Sequence, residues 1–294
     1  METRELERQK REKLDALESA RVSLGRPDEK KHTNLTDHLR SLDMVFPTTN
    51  HHNRSSTKYL QMSLTLLEKQ DNYRAWFESN HSFLLLLGGN TKPEGQMQQS
   101  GYSWLSPAAT DTALKLQESG DVTVAFFSYP KSWVHADDEP TMCELVAGLL
   151  FQVLSSDTAI LKDNFQRQLS SLKIDAWVGK NDKETLNLIM ESVASLFRKA
   201  GARRWVYLIV DRAERCKSGL EHLLGWFHRL VTDSECKIKV LIVFDSIRSG
   251  MSEQDWQEFD QKGHVYSKIG WNQEKMGFEK FPLREPSFTE SPKS

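Results

Sequence analysis

Arg204-Trp-Val-Tyr-Leu-Ile-Val-Asp211 is the stretch that decides the fold. The residues from Trp205 to Val210 carry no charge, and Asp211 follows where such a strand leaves the core. An uncharged run of this length, rich in β-branched and aromatic residues, predicts a central strand of a parallel sheet, buried on both faces. An acid at the carboxyl end of that strand points into the crevice where open α/β sheets bind ligands. A strand that simply ends on a polar turn residue carries the same pattern, so the rest of the chain must separate the two.

Three further runs share this character: Ser82-Phe-Leu-Leu-Leu-Leu-Gly88-Gly89, Val122-Thr-Val-Ala-Phe-Phe-Ser-Tyr129 and Lys239-Val-Leu-Ile-Val-Phe244. Amphipathic helices separate them. One runs from Ser106, read as N-cap ahead of Pro107, and stops at Gly120. A second carries Met142, Leu145, Val146, Leu149, Leu150 and Val153 at helical spacing, and others cover about 184–199 and 218–232. Upstream, a helix is predicted over Thr57–Lys69, followed by Tyr73-Arg-Ala-Trp76-Phe77. Strands alternating with such helices predict an α/β fold, a mostly parallel sheet with helices on both faces, spanning 70–250. Residues 1–69 read as a charged N-terminal helix (2–24, with Leu6, Leu14, Leu17 and Leu24 on one side) and a linker that includes His51-His52. That helix reads as a partner-binding helix or as a solvated extension. Residues 251–294 read as an extension of low apolar density, ending in a disordered tail from Pro282.

Composition narrows the function classes. The chain has 294 residues, 27% of them charged, and a formal net charge of -2. That balance lacks the basic excess of a nucleic-acid binder. Cys143, Cys216 and Cys236 form no C-x-x-C pair, which argues against a disulfide framework or structural zinc. The charged amino terminus has no signal-peptide core, and no run approaches ~18 apolar residues. A cytoplasmic protein with no membrane span and unidentified protein partners is expected.

A phosphate-binding loop of the form G-x-x-x-x-G-K-[ST] would follow the 82–89 strand, its amides cradling phosphates and its Lys and hydroxyl serving oxygens and magnesium. The chain there reads Gly88-Gly89-Asn-Thr-Lys92-Pro93-Glu-Gly95-Gln96-Met97. Gln96 stands where the lysine should be and Met97 where the hydroxyl should be; the glycine spacing is off, and Pro93 removes an amide donor.

The order of parts resembles the STAND class of P-loop NTPases, specifically the NACHT-like domains of large fungal proteins. The resemblance covers about 70–250 and rests on loose motifs in the right order. Tyr73-Arg-Ala-Trp76-Phe77 matches the family's Trp-rich upstream segment, and Ala125-Phe126-Phe127-Ser128 its Phe-Phe strand. Leu145-Val-Ala-Gly-Leu-Leu-Phe-Gln152-Val-Leu154 is similar to the helix Leu-x-x-x-Leu-Leu-x-Gln-Leu-Leu. The resemblance makes Leu208-Ile-Val-Asp211-Arg-Ala-Glu214-Arg215-Cys216 the Walker B segment and Val243-Phe-Asp-Ser246-Ile-Arg248 the sensor strand. It implies ATP or GTP with magnesium on Asp211, and nucleotide contacts from Gly88, Gly89, Lys92, Gly95, Glu214 and Arg248. Little chain follows the sensor strand compared with the family's helical, winged-helix or repeat parts.

The departures imply lost chemistry. Arg215 replaces the acid that polarises the attacking water, with Glu214 one residue early, and the loop lysine and hydroxyl are missing. Phosphoryl transfer depends on these positioning and electrostatic parts. A degenerate signalling pseudoenzyme acting through protein contacts is therefore expected. Two other readings stay open: a nucleotide-binding switch using Lys92, Gly95 and Asp211, and an unrelated metal-dependent α/β enzyme using Asp211, Asp245 and Ser246. Cys216, between Arg215 and Lys217, sits in a cationic setting but has no neighbouring His, and no catalysis is assigned to it.

Overall fold

In the computed structural model the four strand-like runs become β1 (Phe83–Asn90), β2 (Thr123–Ser128), β3 (Val206–Asp211) and β4 (Ile238–Asp245). Two more strands, β5 (Tyr266–Asn272) and β6 (Gly277–Glu279), complete one sheet in the order β2-β3-β4-β1-β5-β6. Every neighbouring pair is parallel except β5 with β6. The helices are α1 (Glu2–Ser23), α2 (Leu64–Leu67), α3 (Asp71–Glu78), α4 (Ser106–Glu118), α5 (Met142–Ser156) and α6 (Leu220–Thr232). The structure describes residues 2–24, 35, 38–40, 42, 64–90, 103, 105–129, 141–156, 191, 193–198, 204–216, 218–232, 237–245, 251–252, 254, 256–257, 266–272 and 277–279. The histidines at 51 and 52, most of the helix expected over 184–199, Cys236 and the tail from 282 lie outside them.

Period-two alternation divides the strands between two cores. Leu84 and Leu86 of β1, Ala125 and Phe127 of β2, Leu208 and Val210 of β3, and Val240 and Ile242 of β4 face one side. Their alternates, including Leu85, Leu87, Phe126, Ile209, Leu241 and Val243, face the other. Helices α5 and α6 pack on the first face with the helical residues 193–198, and α2, α3 and α4 on the second. This follows from handedness. The β1-to-β2 crossover runs one way along the sheet and those from β2 to β3 and β3 to β4 run the other, so right-handed connections place their helices on opposite faces.

Several details differ from the sequence reading. β5 pairs with β1 from within the stretch read as an extension, so the sheet reaches residue 279. Its sequence, Tyr266-Ser-Lys-Ile-Gly-Trp-Asn272, mixes polar with apolar residues and lacks the uncharged signature of the inner strands. β1 runs on through Gly88 and Gly89, which are in register with Phe244 and Asp245 of β4 on one side and Gly270 and Trp271 of β5 on the other. Helix α4 begins at Ser106 itself, with Leu105 at the capping position. It ends as expected at Gly120, whose φ of 72° favours glycine. Helix α1 is solvated through residue 15, with Leu6 and Leu14 exposed, whereas Ala20 and Leu24 near its end are buried in the core that holds α5. Finally, Leu35, His38–Arg40 and Leu42, within the stretch read as linker, are helical, and Leu35, His38 and Leu42 are buried.

β2 is an edge strand, and such an edge leaves backbone groups unpaired. Gln152 of α5 covers them: its Oε1 accepts the Phe126 N–H at 2.9 Å and its Nε2 donates to the Phe126 carbonyl at 2.8 Å. The glutamine of the helix motif thus mimics one rung of a missing strand. At the opposite end of the strands, Lys239 is 1% exposed, donates from Nζ to the Phe77 carbonyl at 2.6 Å and lies 4.7 Å from the Trp205 ring centroid. Burial pushes its pKa down to about 8.

Two outcomes are expected. Gln152→Leu strands a partly buried donor and acceptor on Phe126 and lowers stability by about 1–3 kcal/mol in urea unfolding; a loss under about 0.5 kcal/mol, within the range of ordinary surface changes, would show that water replaces the side chain. For Lys239, the folded chain holds its proton less tightly than the unfolded chain, so the burial cost is fully present below about 8 and fades as pH rises toward 10.5. Urea unfolding of wild type and Lys239→Met at neutral and at high pH should show the gap moving in favour of the wild type at high pH. A pH-independent gap would mean the lysine is not buried as a cation.

Candidate functional site

The strand order places one crevice in the sheet. The crossover from β1 leaves past β4 and β3, whereas the connection from β4 leaves past β1 in the opposite direction. Ligands of open α/β sheets bind outside the carboxyl ends of strands at such a reversal. Gly88, Gly89, Asp245 and, one strand over, Asp211 line this end. Among the residues expected at the site, the structure brings together Gly88, Gly89, Asp211, Glu214 and Asp245; Lys92, Gly95, Ser246 and Arg248 lie outside the described residues.

The two glycines are not the start of a loop. Both are buried ladder residues of a central strand, so their backbone is committed to β4 and β5 instead of to a phosphate cradle.

Asp211 is 0% exposed. It is level with Ser128 across the β2–β3 ladder, and the Ser128 hydroxyl donates to Asp211 Oδ2 at 3.2 Å. The hydroxyl of Ser106, also fully buried, faces the same carboxyl and accepts the Ser103 N–H at 3.2 Å. His38 lies against the same oxygen, its Nε2 3.6 Å from Asp211 Oδ2 and its ring 5.0 Å from the Phe126 centroid. Burial raises the Asp211 pKa, opposed by the Arg212 charge and the two hydroxyls. Burial, then the Arg212 charge, pushes His38 down to about 3. At neutral pH the imidazole is therefore uncharged, and the contact is a packed polar pair instead of an ion pair.

Arg212 turns the chain. Its φ of 60° and ψ of 45° place it in the left-handed region, the single non-glycine residue there among the described residues. Such a conformation costs about 1–2 kcal/mol for a residue with a Cβ. Its side chain is buried, and its positive charge acts on Asp211, His38 and Glu214. A 3-10 turn, Ala213–Arg215, follows. There Glu214 Oε2 accepts the Asp245 N–H at 3.2 Å, tying the turn after β3 to the end of β4. Burial, then the neighbouring Asp245, raises the Glu214 pKa to about 7. Glu214 is thus a partly buried brace between strand ends. Cys216 is 5% exposed and packs in the same core as Tyr129.

Asp211 and Asp245 are out of step. The register pairs Val210 with Ile242, so Asp211 is level with Val243 and Asp245 lies two residues further on, about 7 Å along the strand. Among the described residues no group of three or more His, Cys, Asp or Glu side chains is placed to hold a metal ion.

A family model described as nephrocystin 3, N-terminal, matches residues 63–243, more than half of the chain. The chain belongs to the nephrocystin 3 N-terminal family. No curated protein matches it. The nephrocystin 3 N-terminal match runs from before β1 to Val243 within β4, and leaves out His38 and the β5–β6 pair.

Among the described residues, the surroundings of Asp211 do not fit a magnesium ion. A carboxylate and a hydroxyl are suitable donors for a hard cation that keeps several of its waters. Here the carboxylate is sealed from water, the Ser128 hydroxyl and the His38 ring already lie against one of its oxygens, and a guanidinium adds positive charge nearby. Sequence reasoning missed His38, Ser106 and Ser128 as site residues. The spacing of Leu35, His38, Leu39 and Leu42 is helical and was the available signal for the first.

Arg212 gives a separable test. Arg212→Ala loses the buried charge beside Asp211 and keeps the left-handed strain; Arg212→Gly loses the charge and relieves it. Both should unfold at lower urea than the wild type, with the glycine variant about 1 kcal/mol more stable than the alanine variant. Equal stabilities would remove the strain from the account.

Proposed function

We propose that this chain is a degenerate NTPase module of the NACHT-like, STAND kind, which keeps the nucleotide-binding architecture without the chemistry and acts through contacts with other proteins. One observation carries the reading. The acid at the end of β3, where a magnesium ion would be held, is fully buried, with the Ser128 hydroxyl and the His38 ring on one of its oxygens and the Ser106 hydroxyl and the Arg212 charge partly offsetting its burial. The continuation of β1 through Gly88 and Gly89 agrees, since backbone amides used in a ladder are lost to phosphates. The sheet reversal and the motif order support descent from a nucleotide-binding fold. Among the described residues no helix is long and apolar enough to cross a membrane, and the partners are proposed to be proteins in the cytoplasm.

The test is equilibrium binding of fluorescent ATP and GTP analogues, with and without Mg²⁺, to the wild type and to Asp211→Asn. No saturable binding is expected up to ~1 mM, where the free energy of binding is only about -4 kcal/mol. Saturable, magnesium-dependent binding that the substitution removes would replace this reading with a nucleotide-binding switch.

A further inference from the structure

Helix α1 is anchored at one end only. Residues 4–15 are all exposed, whereas Ala20 and Leu24 are buried and Ala16 and Leu17 pack against the same core. Among the described residues the exposed large apolar side chains are Leu6 (67% exposed), Leu14 (58%) and Val22 (38%), and all three lie on this helix. Single exposed leucines are ordinary on a protein surface, so their arrangement has to carry the argument. Leu6, Lys10, Lys13, Leu17, Ala20 and Leu24 are spaced alternately by four and three residues, the seam of a heptad pattern. The last three seam residues seat α1 on the core that holds α5, and the first three are exposed. Leu14 flanks the exposed part, one turn from both Lys10 and Leu17; Val22 lies off the seam. The helix's acids are largely engaged elsewhere: Arg8 holds Glu5 at 2.6 Å and Glu12 at 3.0 Å, and Arg21 holds Glu18 at 3.0 Å. Lys10 and Lys13 take part in none of these pairs.

We propose that the exposed seam of α1 docks an acidic amphipathic helix of a partner protein, which lays apolar side chains on Leu6 and Leu14 and carboxylates on Lys10 and Lys13. Charge decides the occupant. Over residues 6–14 the face carries two lysines against one acid, Glu7 at its margin. Two like charges at successive seam positions oppose pairing in register with a second copy of α1, whereas a helix with acids facing them turns both into attractions. Two leucines on a helix whose other side mixes both signs of charge make a poor anchor in a lipid surface. A partner helix would meet anchors at helical spacing, the usual way an amphipathic helix is recognised. The face is also ordered in advance: α1 is helical from Glu2 to Ser23, with the Arg8 pairs bracing its exposed turns, so the partner does not have to fold it. This deepens the reading of the chain as a protein that acts through protein contacts, and rests on it.

The experiment is solution NMR of the full chain with labelled leucine methyl groups, titrated with two designed amphipathic helical peptides. Both peptides carry leucine along one face; one has glutamate beside the leucines and the other has lysine. Leu6→Ile and Leu14→Ile assign the two methyl signals. The glutamate peptide should shift both signals saturably below ~1 mM, and bind at least about tenfold tighter than the lysine peptide. Lys10→Glu combined with Lys13→Glu should reverse that preference and leave the urea midpoint where it is, because both lysines are exposed. No shift with either peptide up to ~1 mM, or equal affinity for the two, would overturn the proposal. Signals that move with the concentration of the chain alone would overturn it in favour of a second copy. Signals that respond to vesicles of phosphatidylcholine and phosphatidylserine and not to the peptides would overturn it in favour of a membrane surface. Nucleotide binding, measured separately, would sink the proposed loss of the nucleotide site, and the docking face would still stand or fall on the peptide comparison.

Discussion

A carboxyl group taken out of water has to be compensated by the protein around it, and Asp211 is compensated in part, from several parts of the chain, while burial still holds its pKa above the usual range. Ser128 reaches it from β2, Ser106 from the start of α4, and Arg212 from the very next residue. Much local geometry follows from this demand. The level pairing of Ser128 with Asp211 brings hydroxyl to carboxylate at the end of the β2–β3 ladder. The left-handed turn at Arg212 keeps the guanidinium near the acid it follows, at a backbone cost that the electrostatics must exceed. Glu214 then ties that turn to β4, so the ends of three strands are connected by side chains as well as by ladders.

The same demand explains why a strand-end acid in a crevice does not by itself make a metal centre. Hard cations need oxygen donors with access to water, and this acid has the donors without the access. The protein's own positive charge lies nearby, and the imidazole beside the carboxyl is neutral. The neighbouring acid on β4 gives no help, because a two-residue offset in register keeps it out of reach of the same ion.

The inner sheet was legible because burial on both faces leaves little room for charge, and that absence is written directly into β1, β2 and β3 as far as Val210, before the strand ends on Asp211. In β4 a lysine passes only because its ammonium finds a carbonyl and aromatic rings. β5 escaped notice since its sequence has no such signature and its place beside β1 is set by pairing across a long sequence separation. Glycine pairs usually announce turns, and here they sit inside a central strand; nothing local distinguishes the two cases. Within the site, Asp211 was legible and its partners were not. Ser128 and Ser106 look like ordinary strand-end and helix-start residues, and His38 lies in a polar stretch whose four-residue helical stripe is too short to stand out. What joins them is tertiary contact, which no window of sequence contains.

The buried guanidinium next to the buried acid also constrains how the domain can change over generations. Losing the arginine first would leave an uncompensated carboxylate in a dry site; acquiring a metal first would set two positive centres against each other. Either single step passes through a less stable or weaker-binding protein, so the two positions are tied together under sequence change. A one-residue internal counterion in this way narrows the substitutions that the acid beside it can accept.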